Sequence, residues 1–156
     1  MRPIETTLTK TRIEVIRDET ALPEWLARDQ LARFLHEVMK PYEDTLADIR
    51  SALSVVFDGE DSPGGFVVLG MGEDELLGAA VIHHTPWSGY VPENMLLFIG
   101  VRPEHRGRGL GRALIEEALA NCEGDVKLHV EHDNPAKRLY ERVGFTSKYA
   151  EMRYAR

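Results

Sequence analysis

The stretch Val101-Arg102-Pro103-Glu104-His105-Arg106-Gly107-Arg108-Gly109-Leu110-Gly111-Arg112 constrains this chain more than any other. It sets a glycine- and arginine-rich turn between an apolar strand and an amphipathic helix. Met95 to Ile99, just before it, form an unbroken apolar run of strand length, the pattern of a strand covered on both faces. After it, Leu110, Ala113, Leu114 and Ala118 recur at helical spacing, Ile115 and Leu119 widen the stripe, and Arg112, Glu116 and Glu117 take the other side. The glycines therefore sit where a helix begins. Unpaired backbone N–H groups and the positive end of the helix dipole make such a place an anion site. Glycine there allows close approach of the anion and positive φ, and Arg106, Arg108 and Arg112 add positive charge around the same point. Taken alone, the same letters also describe an ordinary turn with solvated arginines.

Two phosphate motifs fail against these letters. Counted from Gly107 or Gly109, the third glycine of a dinucleotide fingerprint falls on Arg112 or Leu114. No G-x-x-x-x-G-K-[ST] run occurs anywhere in the chain. What remains is Arg, two residues, Gly, one residue, Gly, between a strand and a helix. Arg106-Gly107-Arg108-Gly109-Leu110-Gly111 resembles in each fixed position the pyrophosphate-binding signature of the GNAT superfamily of acyl-CoA-dependent N-acyltransferases. A second segment, Asn134-Pro135-Ala136-Lys137-Arg138-Leu139-Tyr140-Glu141-Arg142-Val143-Gly144-Phe145, resembles the segment that follows in that superfamily, with its Asn, Leu-Tyr pair and closing Gly-Phe. The likeness covers roughly residues 65 to 150; before that it lies in the order of predicted elements.

The second segment also reads physically. Asn134 is a good N-cap, Pro135 suits a first helical turn and Gly144 a C-terminal cap, so a helix is predicted between them. Ala136, Leu139, Tyr140 and Val143 then share one face, which turns the Tyr140 ring inward near the predicted strand Val126 to Glu131. A core tyrosine with a satisfied hydroxyl gives the same pattern.

The resemblance implies an α/β fold with a central mixed, twisted sheet of about six to seven strands flanked by about four helices, as a single domain over residues 1–156. It implies acetyl-CoA as co-substrate. The pantetheine arm would pair with the strand ending in Ile99, Gly100 and Val101, and the pyrophosphate would lie on Arg106, Gly107, Arg108, Gly109, Leu110, Gly111 and Arg112. Asn134, Lys137 and Tyr140 would contact the rest of the cofactor. Gly100 inside an apolar strand suits a bulge or a close approach of another backbone, and equally a packing glycine.

The implied chemistry is acetyl transfer to a primary amine in a ternary complex. An amine is mostly protonated at neutral pH, so a base must take its proton. A backbone N–H, that of Val101, would stabilise the oxyanion. Tyr140 matches the family position of the acid that reprotonates the thiolate. Many family members use an acidic residue on the strand before the cradle, where this chain has Leu96, Leu97 and Phe98. That leaves Glu93 and His84 as the named base candidates, with His83, Glu131 and His132 behind them. The segment His83 to Tyr90, with Trp87 and Tyr90, and the turn at Lys40, Pro41 and Tyr42 would meet the acceptor, a small molecule or a protein. The missing strand acid also fits a different class, a non-catalytic acyl-CoA-binding module or sensor. A plain interaction domain is the remaining reading.

Composition agrees. The chain has 156 residues, 43% hydrophobic and 29% charged, a formal charge of −7 and a pI near 5.4. That size suits one domain, and the acidic balance argues against nucleic acid or an anionic membrane as partner. The single Cys122 has no disulfide or metal partners, which points to a reducing, cytoplasmic setting. Met1 to Thr11 carries no apolar signal core. Strands are predicted at Arg12 to Arg17, Phe66 to Met71 and Leu76 to His83, and helices at Leu22 to Met39 and Thr45 to Val55. Asp58 to Gly65 reads as an acidic loop, and Tyr149 to Arg156 as a final strand able to pair across a homodimer.

Overall fold

The computed structural model describes residues 10–60 and 64–156. The chain runs β1 (Arg12–Ile16), α1 (Arg28–Val38), α2 (Leu46–Phe57), β2 (Gly65–Gly72), β3 (Glu75–His84), β4 (Asn94–Val101), α3 (Leu110–Ala120), β5 (Val126–Leu128) and α4 (Lys137–Val143). Short 3-10 turns lie at Glu19–Ala21 and Pro103–His105. Nearly all of the Met1 to Thr11 segment, and the centre of the Asp58 to Gly65 loop, lie outside the described residues. The predicted first helix is shorter than its apolar pattern: residues 22–27 form a turn after Pro23, and α1 begins only where the Ala27 N–H donates to Gln30 Oε1 at 2.6 Å. In α2 the cap falls on Thr45, whose Oγ1 accepts the Asp48 N–H at 3.1 Å.

The strands form one sheet in the order β1-β2-β3-β4-β5, antiparallel from β1 to β4 and parallel between β4 and β5. Alternation along β2 splits the core in two. Val67 and Leu69 pack with Leu35, Ile49 and Leu53 of α1 and α2, while Phe66 and Val68 pack with Leu114 and Ile115 of α3 on the opposite face.

This is the expected mixed α/β architecture with four helices, but with five strands among the described residues rather than six or seven. Residues 146–156 form no strand, and Tyr149, Met152 and Tyr154 are exposed. Tyr149 is out of phase with Met152 and Tyr154, so an extended tail has no single apolar face to bury. The other shortfall is β5, which ends at Leu128 instead of Glu131.

That short β5 shapes the site. It pairs with β4 only through Asn94↔Val126, Met95↔Lys127 and Leu96↔Leu128. Beyond Leu96 the two parallel strands part. At the same point β4 bulges: Ile82 pairs with Leu96 and Val81 with Phe98, leaving Leu97 extra. The bulge turns Leu97 and Phe98 to the same side, where both pack toward α1 and α2.

Candidate active site

The turn before α3 has the form its letters predict. Gly107 and Gly109 hold φ of 74° and 86°, and Gly109 is the N-cap. The α3 ladder starts with the Ala113 N–H donating to Gly109 O at 3.0 Å. Among the described residues nothing accepts a hydrogen bond from the six consecutive backbone N–H groups of Gly107, Arg108, Gly109, Leu110, Gly111 and Arg112. A run of unsatisfied donors at a helix N-terminus can hold a polyanion. Gly111 has a packing role as well: a Cβ there would stand 3.3 Å from Leu139 of α4.

The three arginines divide. Arg106 Nε donates to Val101 O at 3.0 Å and its Nη2 to Val38 O at 2.7 Å, tying the end of β4 to the end of α1. Arg112 pairs with Glu116 at 2.9 Å. Arg108 is half-buried and has no hydrogen bond or ion pair among the described residues.

The Arg102 N–H donates to Leu77 O of β3 at 2.8 Å, so by alternation Ile99 and Val101 turn their peptide groups the other way, toward the space β5 has left. Gly100 does not: its carbonyl faces β3, 3.1 Å from where a Cβ on Gly78 would stand. Nor does the β4 bulge fall on Gly100. The residue is glycine because a Cβ would overlap Val38 Cγ2 of α1.

Across the gap, Asn134 Oδ1 accepts the Ala136 N–H at 2.9 Å, capping a turn, so that α4 starts at Lys137 rather than beside Asn134. Lys137 is half-buried at that first turn and takes no ion pair among the described residues. Tyr140 is 9% exposed with its ring edge-on to Phe145, centroids 6.1 Å apart. Its hydroxyl has no hydrogen-bond partner among the described residues, and burial, with Glu131 nearby, pushes its pKa up to about 12. The phenol thus stays protonated at neutral pH and keeps a proton to give.

A cavity of about 390 Å³ opens between α2, the β4 bulge and the segment that follows β5. Its apolar wall is Met95, Leu97, Phe98 and Val55; Asp44, Asp48, His83, His129 and Arg153 supply the polar groups. Burial and the neighbouring Asp48 and Glu131 carboxylates raise the Asp44 pKa. Tyr42, at the α1–α2 turn, donates to Asp133 O at 3.1 Å and is not part of the cavity lining.

Neither named base candidate lines this cavity. His84 points to the opposite face of the sheet, against Phe66, and its Nδ1 donates to Asn94 Oδ1 at 2.8 Å. Glu93 is tied down: its carboxylate accepts the Asp125 N–H at 2.8 Å and the Gly89 N–H at 3.0 Å, which holds its pKa below the usual range. Glu131 is exposed and meets Asn134 Nδ2 at 3.4 Å; His132, Trp87 and Tyr90 are exposed too. His83 does line the cavity. Sequence reasoning missed Asp44, Asp48 and His129. For His129 a signal existed: in Val126-Lys127-Leu128-His129-Val130 the apolar residues alternate, leaving His129 on the other face.

Residues 20–145 match the sequence model described as the Acetyltransferase (GNAT) family. The chain belongs to that family. Among curated relatives, it is similar to a mycothiol acetyltransferase from Actinosynnema mirum, 39% identical over 98 residues, covering 58% of this chain and 31% of the relative. It is also similar to a 5-NmdU N-acetyltransferase from Pseudomonas phage PaMx11, 44% identical over 57 residues, or 35% of this chain and 41% of the relative. The matches thus span less than half the length of either relative. Among solved structures, an aminoglycoside N-acetyltransferase, AAC(6')-Iy, in complex with CoA shares the fold: TM-score 0.62, 18% identity, 94% of this chain and 95% of that one. Among the described residues no helix is long and apolar enough to cross a membrane.

Proposed function

We propose that residues 1–156 form one N-acetyltransferase domain that moves an acetyl group from acetyl-CoA to a primary amine by direct attack. The observation that carries this is the run of six N–H groups from Gly107 to Arg112 that have no acceptor among the described residues, next to strand backbone at Ile99 and Val101 that β5 leaves unpaired. Gly107 has open space where a Cβ would stand, so a diphosphate can come close, with Arg108 beside it. Asn134 and Lys137 would meet the cofactor on the α4 side. Acetyl-CoA supplies the acetyl group as a thioester.

The Val101 N–H would receive the oxyanion, and Tyr140 would protonate the leaving thiolate. Cys122 suits no acetyl-enzyme: it sits beyond the far end of α3 with its thiol pushed up to about 11 by burial. The names of two similar proteins specify transfer to nitrogen, which supports an amine acceptor. The cavity, with its apolar wall and the acids Asp44 and Asp48, suits a small cationic amine.

The test is to incubate the purified protein with acetyl-CoA and a panel of primary amines. Thiol release is expected to match acetylated amine one to one, with intersecting initial-velocity patterns. Parallel lines, or an acetylated protein isolated without acceptor, would contradict direct transfer; no thiol release with any amine would contradict transfer altogether.

A further inference from the structure

β4 gives the cavity no proton acceptor, since the residues it turns there are Met95, Leu97 and Phe98. Directly across the ladder from Met95 stands His83 of β3. Opposed residues on neighbouring strands share a face with their Cβ atoms within about 5.5 Å, and His83 lines the same cavity.

Its ring is oriented. Nε2 lies 2.9 Å from the Ala52 carbonyl of α2. A carbonyl only accepts, so Nε2 carries the hydrogen. Burial holds the pKa below the usual histidine value, opposed in part by that bond, which favours the neutral ring. In a neutral imidazole the other nitrogen is an acceptor, and among the described residues nothing is hydrogen-bonded to Nδ1. A ring of fixed tautomer with an unused lone pair thus lines the cavity. The other titratable and charged groups on that cavity are Asp44 from the turn before α2, Asp48 from its first turn, His129 after β5 and Arg153 from the tail, with His84 adjacent on β3.

We infer that His83 is the group that takes the proton from the attacking amine, directly or through one water; this rests on the transferase reading above. The amine nitrogen forms the C–N bond to the acetyl carbon and the C–S bond breaks. The amine attacks as its free base, having given its extra proton to solvent, so the one N–H proton shed as the bond forms goes to His83 Nδ1, and the thiolate takes the Tyr140 proton. His83 then releases its proton to solvent and Tyr140 is reprotonated.

His83→Gln keeps an N–H for the Ala52 carbonyl and removes the basic nitrogen. With the best amine of the panel, kcat/KM is expected to fall about 100-fold or more. The acid limb expected in the parent's pH–rate profile, displaced below the ordinary histidine range because burial lowers the His83 pKa, should vanish, while acetyl-CoA still raises the variant's Tm as it raises the parent's. A kcat/KM within about threefold of the parent, with the same acid limb, overturns the assignment. Should the variant fail to melt cooperatively, nitrogen-15 histidine spectra of the intact protein decide. A His83 ring in the Nε2–H form that titrates with the acid limb supports the role; an Nδ1–H ring, or a pKa displaced from that limb, overturns it. A parent that neither binds acetyl-CoA nor releases thiol overturns the transferase reading itself, and this inference with it.

Discussion

The proposed anion cradle and the proposed acceptor cavity are built in opposite ways. The cradle is six consecutive residues whose working groups are backbone N–H donors, fixed by two glycines at positive φ and the start of one helix. The cavity is an assembly of side chains from α2 and the turn before it, β3, β4, the residue after β5 and the C-terminal tail, between Asp44 and Arg153. A cradle of peptide groups tolerates many side chains but few backbone geometries. A cavity of side chains changes its chemistry with single substitutions. The first is written in a short run of sequence, and the second exists only once the sheet has formed.

That contrast can be broken most severely at Gly109. Gly109→Val puts a β-branched side chain at φ 86°, where the left-handed conformation costs about 1–2 kcal/mol and the branch crowds the free donors. The KM for acetyl-CoA should rise by about 100-fold or more. A KM within about threefold of the parent would separate the cradle from cofactor binding.

Tyr140→Phe probes the junction between the two regions. Loss of the acid should lower kcat by about 100-fold with acetyl-CoA affinity kept. Because the phenol's pKa is raised to about 12, it holds its proton below that value. The parent should therefore show no alkaline loss attributable to Tyr140 at ordinary assay pH.

Arg106 and Arg108 sharpen the comparison within the cradle itself. Arg106→Ala removes charge-assisted bonds to Val101 O and Val38 O and should cost about 1–3 kcal/mol of stability. Arg108 bonds to nothing among the described residues, so Arg108→Ala should leave Tm unchanged and weaken acetyl-CoA by about tenfold, or ~1.4 kcal/mol. A melt and a titration of each variant distinguish the two roles; the reverse pattern would exchange them.

The smallest effect concerns Glu93. Its pKa is depressed by the Asp125 and Gly89 N–H groups. A depressed carboxylate contributes stability that is present above its unfolded pKa of 4.5 and lost as pH falls through the lower folded value. Melts of Glu93→Gln should show a small loss at neutral pH and a shallower decline in acid than the parent.

How much the letters reveal follows the same division. The Arg106 to Gly111 run and the flanking periodicities make the strand, turn and helix legible, since each depends on local rules. Gly100 was legible as a constrained position but not in its cause: the neighbour that excludes a Cβ is Val38, far away in sequence. His83 and His84 show the limit most sharply. As adjacent letters they are equivalent candidates, yet alternation sends one to the cavity and the other to Phe66. Which face holds the cavity depends on the packing of α2. The tail misled because its residues favour strand, whereas its apolar positions fall out of phase.

The central claim is that Gly107 to Arg112 hold acetyl-CoA, and the most direct test is a thermal melt of the parent protein with and without it. At about 100 times its dissociation constant the ligand should add ~2.7 kcal/mol, a rise in Tm of roughly 5–10 °C for a chain of this size. An unchanged Tm at saturating acetyl-CoA would contradict the account.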